Sequence, residues 1–582
     1  MMSKLTVRWN VLFIFTLFLS IVSLYVEQME LSGLSPFLFT NLIDLVILII
    51  LVAETVLGFR DAPYKRIFFR RNVFSIGFSA IFIILFAYNK YITLGAFLTG
   101  TTGAGFTILL IRNFFLVLKV FSRYRRITGF IEGLNMHPAL TIILSFLFVI
   151  LAGTWLLMMP FTARAGGGLS FVDALFTATS AVCVTGLIVV DTATYFSVGG
   201  QLVILTLIQV GGLGIMVLSY FTLFILGRRI SVEQKSLVAY MLSEDDMGKL
   251  KSTLKSIIGI TVLIEGIGAL ILTTAMNPEG SSWGSRVLFG AFHAVSAFCN
   301  AGFALLSDSL ETFSGRPVVL VTFALLIISG GLSFGVFINI RNVLMKRFRR
   351  HNAVSRNNHA VITLNTRIVL STSGILLLSG MLMFYILEHR GVLAPLPLGR
   401  QYLAAFFQSV TLRTAGFNSV PFGSLSTGVI IAMVVFMFIG GASGSTAGGI
   451  KVNTMAVLLA SVKSAWRNDA RVVLRSHTVD EQSVNRAYLI FLFGVISVMF
   501  GGFVLSVTES APFKDILFET VSAFGTVGLS TGLTGSLSSI GKTVIIVLMF
   551  IGRLGPLTVL AASSPGQGRL QITYPRAEIA IG

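Results

Sequence analysis

Four short turns interrupt an otherwise apolar chain at nearly constant spacing: VCVTGL (182–187), FCNAGF (298–303), LRTAGF (412–417) and FGTVGL (524–529). Their glycines, Gly186, Gly302, Gly416 and Gly528, lie 116, 114 and 112 residues apart, the mark of a repeated unit. Each turn follows a short aromatic-rich segment, FVDALFTATSAV, VLFGAFHAVSAF, YLAAFFQSVTL or DILFETVSAF, and each such pair sits between long apolar runs. A dozen helical residues reach only ~18 Å, little more than half of a ~30 Å hydrocarbon core. These segments must therefore enter a membrane and turn back.

Backbone that leaves a helix at membrane depth has unpaired carbonyls and amides, tolerated only where protein buries them or water reaches them. Four re-entrant turns around one axis meet this requirement together, because their carbonyls can face a central pore and a desolvated cation can satisfy them. Glycine permits the positive φ that sends successive carbonyls to one side, a conformation that costs other residues about 1–2 kcal/mol. The half-helices also aim their negative C-terminal ends at the ion. Glycine at an ordinary helix C-cap is the competing reading for one such turn. Four turns at matched intervals favour a common cause.

Composition agrees with a membrane chain: 55% of the 582 residues are hydrophobic and 12% charged, against roughly a quarter charged in soluble domains. Apolar runs of spanning length cover 11–27, 36–58, 73–89, 93–118, 138–160, 200–226, 255–275, 317–340, 366–388, 426–462, 487–507 and 541–561, the tenth overlong and glycine-broken. The net charge of +19 is concentrated at 60–71, 119–126, 228–255, 341–356 and 463–475. Counted from a cytoplasmic N-terminus, all five loops fall inside, so the charge reads as topology, with both termini cytoplasmic, rather than as a nucleic-acid surface. The first apolar run has no evident small-residue cleavage site and reads as a retained helix. The two cysteines, Cys183 and Cys299, form no zinc pattern, and their spacing argues against a structural disulfide.

The four turns, with GGASGSTAGGIKV (440–452) and IGRLGPLT (551–558), resemble the Trk/Ktr/HKT superfamily of potassium uptake proteins, most of all the Ktr-type potassium-transporting membrane subunit, over about 137–561. The resemblance implies an all-α polytopic membrane protein of four helix–pore loop–helix repeats around a pseudo-fourfold pore. The repeats would occupy 137–226, 250–340, 362–462 and 486–561, between an N-terminal four-helix membrane domain (1–130) and a cytoplasmic tail (562–582). It implies a selectivity filter for K+ made of the carbonyls of Val184, Thr185, Gly186, Asn300, Ala301, Gly302, Thr414, Ala415, Gly416, Thr526, Val527 and Gly528. Potassium channels proper carry two glycines per TVGYG loop, so fewer stacked sites are expected with one. Sodium-selective plant relatives carry Ser in the first loop, whereas all four loops here keep Gly, which favours K+. A sodium-conducting or sodium-coupled transporter of the same fold is the alternative, with Na+ as coupling or activating ion. The family also implies a homodimer in the inner (cytoplasmic) membrane bilayer and a cytosolic nucleotide-binding ring that regulates it.

The tenth span should unwind, since each glycine costs a helix roughly 1 kcal/mol. In the family the matching segment is an intramembrane gating loop, here Gly440, Gly441, Ala442, Ser443, Gly444, Ser445, Thr446, Ala447, Gly448 and Gly449; a small-residue packing face is the other reading. Charges inside spans mark function or a partner. The resemblance puts Arg553 below the filter, paired with the gating loop. Lys451 either joins that gate or snorkels to the cytoplasm. Arg413 and Glu519 are expected to support the filter from behind as an ion pair, a pore-lining Glu519 being the other reading, Gln209 and Glu265 to join two helices, and Asp173 and Asp308 to lie near the outer mouth, where they either concentrate cations or are simply solvated. In the first 130 residues Arg112, Lys119, Arg123 and Arg126 share nearly one helical face, with Asp44 and Glu54 as possible countercharges. Either a voltage-sensor-like bundle or a basic amphipathic helix at the inner surface fits. An intramembrane enzyme would have to use His293, Cys183 or Cys299. His293 and Cys299 are six apart, which turns them to different helix faces, and no orienting carboxylate is placed beside them.

Overall fold

The computed structural model describes residues 138–164, 168–214, 250–276, 282–349 and 362–563, with Val46, Ile49, Phe59, Arg60 and Lys65 as isolated positions before them. The N-terminal domain, its basic face and nearly all of the C-terminal tail lie outside the described residues. The chain divides into two compact units, one of Met1–Met136 with Gly166–Gly168 and one of the remainder. In the first, the Lys65 ammonium lies 5.5 Å from the Phe59 ring centroid.

The second unit is built from four successive helix sets. The first comprises α1 (Pro138–Leu157), α2 (Phe171–Val182) and α3 (Val198–Leu213); the second α4 (Leu250–Ala275), α5 (Trp283–Phe298), α6 (Pro317–Gly331) and α7 (Phe334–Arg349). The third holds α8 (Leu364–Glu388), α9 (Leu398–Thr411), α10 (Thr427–Phe438) and α11 (Val452–Trp466), and the fourth α12 (Glu481–Thr508), α13 (Phe513–Gly525), α14 (Ser539–Leu554) and α15 (Pro556–Ser563). Helix starts are written locally. Ser170, Ser282, Ser197 and Ser538 each accept a bond from an amide of the first turn, and Pro317 opens α6.

Within α4, α8 and α12 the segments Thr253–Ala275, Leu364–Glu388 and Glu481–Thr508 are long and apolar enough to cross a membrane. Leu263, Ile267 and Leu270 on α4, and Phe500, Phe503 and Val507 on α12, are exposed, as a lipid-facing surface requires. The short helices α2, α5, α9 and α13 are instead buried in protein toward their C-terminal ends, where Phe176, Phe292, Phe407 and Phe518 are wholly buried.

The second long helix of the first, second and fourth sets differs from the sequence expectation. The runs 200–226, 317–340 and 541–561 read as continuous spans, with only the tenth broken. Yet α3 ends at Gly214 (φ 84°), α14 ends at Gly555 (φ 82°), and α6 and α7 meet at a bend of 96°. The reason is close backbone contact. A Cβ on Gly211, Gly330 or Gly552 would lie 1.9, 1.7 or 1.9 Å from the carbonyl oxygen of Val182, Phe298 or Phe524, the fourth residue before each turn glycine. Hydropathy does not register such contacts. Between α11 and α12 a two-residue hairpin adds the strands β1 (Val473–Leu474) and β2 (His477–Thr478), turned by Arg475 and Ser476 at φ 50° and 67°.

Candidate functional site

The four turns share one backbone pattern. Val184, Asn300, Thr414 and Thr526 have φ of 56°, 59°, 71° and 49°, and the glycines two residues later 94°, 70°, 76° and 88°; the residue between is of ordinary hand. Alternating hand gathers amides on one side of a strand and carbonyls on the other. The amides point back at the short helices: Thr185 N to Ser180 O at 2.8 Å, Ala301 N to Ser296 O at 2.7 Å, Ala415 N to Thr411 O at 3.0 Å and Val527 N to Ser522 O at 2.8 Å. Among the described residues, no donor reaches a carbonyl of the four triplets.

The turns also close a ring. A Cβ on Gly186 would lie 2.5 Å from Ala301 O, on Gly302 3.1 Å from Ala415 O, on Gly416 2.7 Å from Val527 O, and on Gly528 2.0 Å from Thr185 O. Each glycine thus faces the carbonyl of the next turn, and the fourth returns to the first. The bare carbonyls therefore surround one axis.

Sequence reasoning missed a serine six residues before three of the glycines. Ser180 and Ser522 each accept from the amide of their own glycine at 3.1 Å, and Ser296 and Ser522 donate to Phe303 O and Leu529 O at 2.7 and 2.6 Å. The signal was the repeated Ser-Ala before VCVTG, FCNAG and FGTVG. In the third set Val410 holds that register, and the turn is secured from the preceding set. Asn418 Nδ2 donates to Glu311 at 2.7 Å, its amide to Ser309 Oγ at 3.2 Å, and its carbonyl accepts from Leu310 N at 2.9 Å.

The expected ion pair between Arg413 and Glu519 does not form. Glu519 accepts instead from Ser530 and from Thr534 (3.0 Å) in its own set. Arg413 is buried, and its Nε and Nη2 have no partner among the described residues. Gln209 does join α3 to α4, donating to Glu265 at 3.3 Å. Cys183 and Cys299 form no disulfide and are buried; against the sequence expectation a carboxylate does lie beside one of them, Cys299 Sγ being 3.9 Å from Glu265 Oε1. Asp173 is bound to Lys542 at 2.6 Å, so it is not a free anion at the outer mouth. Asp308 accepts from the amide of Thr312 at 3.0 Å. A cavity of about 230 Å³ opens beside the ring, lined by Gly186, Leu187, Gly528 and Ser530 among others.

Between α10 and α11 the chain is unwound, as the glycine content demands, and runs beneath the ring. A Cβ on Gly448 would lie 2.0 Å from Thr526 Oγ1, and one on Gly440 3.4 Å from Thr414 Cγ2. The segment is tied to the second and fourth sets: Ala442 N donates to Gly331 O at 3.1 Å, Thr446 N to Gly330 O at 3.2 Å, Phe334 N to Gly444 O at 3.3 Å, and Gly449 N to Gly552 O at 3.3 Å. Thr446 Oγ1 adds a bond to Phe298 O at 3.3 Å. Arg553 donates through Nη1 to Thr446 O and through Nη2 to Gly211 O, bridging this segment and the end of α3. Lys451 does not snorkel: its Nζ turns back to Ala447 O.

A family model described as TrkH, cation transport protein, matches residues 110–569. Ktr system potassium uptake protein B of Bacillus subtilis is 39% identical over 454 residues, covering 78% of this chain and 98% of the relative. Its namesake in Vibrio alginolyticus is 40% identical over 443 residues (76% and 94%), and the potassium/sodium uptake protein NtpJ of Enterococcus hirae 38% over 455 (77% and 98%). The crystal structure of the potassium transporter TrkH from Vibrio parahaemolyticus has the same fold, with a TM-score of 0.60 at 17% identity, over 84% of this chain and 97% of that one. Reached through its glycine ring, the intramembrane segment beneath it and these relatives, the chain belongs to the TrkH family of membrane cation transport proteins.

Proposed function

We propose that this protein takes up K+ across the cytoplasmic membrane through a filter formed by the carbonyls of the four triplets ending in Gly186, Gly302, Gly416 and Gly528. The observation that carries the reading is the closed ring of carbonyls to which no described residue donates; in a membrane-spanning chain such carbonyls call for water or a cation. The potassium uptake named in the relatives supports the choice of ion. The name of the potassium/sodium relative supports a second reading, in which Na+ is conducted or coupled.

The segment Gly440–Gly449, with Lys451 and Arg553, is the gate in this reading, because it lies across the inner side of the ring and is held by bonds that could be exchanged. Glu519 supports the fourth filter turn, and Arg413 sits behind the third. A homodimer and a cytosolic nucleotide-binding ring complete the assembly, the ring acting on the gate from the side of the basic loops. The experiment is ion flux into liposomes containing the purified chain, with K+, Rb+ and Na+ gradients tested separately. K+ and Rb+ should pass and Na+ should be disfavoured. A protein inert to all three, with and without a candidate ring, overturns the reading.

A further inference from the structure

Behind the second and fourth turns the short helix carries a polar side chain at one register, nine residues before the glycine: His293 and Glu519. His293 is wholly buried among Phe289, Phe292 and Phe323, with ring centroids 4.3, 5.9 and 6.0 Å away. Its Nε2 lies 3.2 Å from the amide nitrogen of Leu305 and its Nδ1 2.8 Å from Phe289 O. A backbone amide can only donate, so Nε2 accepts, the proton sits on Nδ1, and the ring is neutral. Glu519, also wholly buried, accepts from Ser530 and Thr534.

Both side chains thus reach past the end of their own helix to the strand leaving the ring, Leu305 being three residues beyond Gly302 and Ser530 two beyond Gly528. At the same register Thr177 only donates to Asp173 O inside its own helix at 2.8 Å, and the third set has Phe407, where the adjacent Gln408 instead donates through Nε2 to Ser419 Oγ at 3.3 Å. Since the turns follow one another round the axis, the second and fourth stand opposite each other.

We propose that His293 and Glu519 are a diagonal pair of positioning residues that fix the outer ends of two opposite filter strands and thereby set K+ over Na+ preference; this rests on the filter reading above. Neither touches the ion. Each removes a freedom that would let the carbonyls of its turn close on the smaller cation, and discrimination depends on how many carbonyls are held and how stiffly.

The test measures the K+ to Na+ flux ratio of the full chain in liposomes. His293→Phe keeps the aromatic volume without an acceptor, and Glu519→Met keeps the length without hydrogen-bonding oxygens. Each should lower the ratio about fivefold or more, the effect of stranding one buried polar group. His293→Gln and Glu519→Gln, which keep an accepting oxygen, should restore it, and Thr177→Val should not move it. Ser530→Ala with Thr534→Val removes the fourth-turn bonds without altering the short helix, and must reproduce Glu519→Met. A parent inert to all three ions overturns the filter reading and this proposal with it. A parent that prefers K+, with unchanged ratios in the Phe and Met variants or in the Ser530/Thr534 variant, overturns the pair alone.

Discussion

Replacing Arg553 tests the proposed gate most directly, because its guanidinium holds two elements of different expected mobility. One bond goes to Gly211 O at the end of α3, which packs against Val182 and has no reason to move. The other goes to Thr446 O in the unwound segment. Only an interaction that differs between two states shifts their balance. The relevant loss is therefore one charge-assisted bond and not two, about 1.5–3 kcal/mol. That corresponds to a roughly 10- to 150-fold change in the ratio of displaced to seated segment, at 1.36 kcal/mol per factor of ten. Arg553→Ala should raise basal Rb+ uptake into liposomes, measured on matched amounts of inserted protein, by a factor within that range. Arg553→Lys separates the two ways the residue could act. A lysine keeps the positive charge below the proposed filter but cannot span both carbonyls. If the guanidinium acts as a clamp, the lysine variant should leak like the alanine one; if it acts as a charge barrier, lysine should stay tight. Unchanged basal flux in Arg553→Ala would refute the clamp and place control elsewhere.

Deleting Ala442 to Ala447 removes the bonds to Gly330, Gly331 and Arg553 together, and should raise basal uptake more than Arg553→Ala does. Among single Gly→Ala changes in the ring, loss of K+ over Na+ discrimination should follow the space for a Cβ, greatest at Gly528 (2.0 Å), then Gly186 (2.5 Å) and Gly416 (2.7 Å), and least at Gly302 (3.1 Å); flux ratios in a different order would argue against crowding of the neighbouring carbonyl as the cause. Gly552→Ala should lower the apparent melting temperature of the purified protein, since a Cβ 1.9 Å from Phe524 O forces two backbones apart, at about 1–3 kcal/mol for overpacking. Lys542→Gln uncovers Asp173, whose side chain is 24% exposed. It should speed uptake at low ionic strength and lose that effect near 0.15 M salt, where the screening length is about 8 Å; equal rates at both would show that Asp173 does not act on arriving cations.

The period of the glycine turns is legible in the sequence because it is local chemistry repeated four times. The first short helix can be read to its last residue, 171–182, since a capping serine and a turn bound it. The breaks in α3, α6 and α14 cannot be read the same way, because their cause is contact with another helix: Gly211 meets Val182, and Gly330 meets Phe298. The glycine pairs at 211–212 and 330–331 are the available signal, but hydropathy counts glycine as neutral filler. The Arg413–Glu519 pairing fails for a different reason. Opposite charges on neighbouring repeats suggest attraction, while Ser530 and Thr534, close in sequence to Glu519, already use its oxygens. A carboxylate is satisfied by the nearest donors, and sequence distance is a better guide to those than charge.

The departures of the third set from the other three have one physical logic. The first, second and fourth sets keep a serine six residues before the turn glycine and a second-helix glycine pressed on the short helix's carbonyl. The third has Val410 at the first register, and its second helix unwinds beneath the ring instead of packing there. A binding ring gains from symmetry, because four similar carbonyl sets constrain a cation from all sides. Control gains from its absence, since one displaceable segment needs only one set of bonds to change. Those bonds are mostly backbone to backbone and are shared with the second and fourth sets at Gly330, Gly331 and Gly552. At about 0.5–1.5 kcal/mol net each, they leave the segment seated after any single one is lost. Movement of the third set relative to its neighbours can break several at once, which is the kind of displacement that a partner pulling on α11, the helix continuous with the segment, is placed to produce.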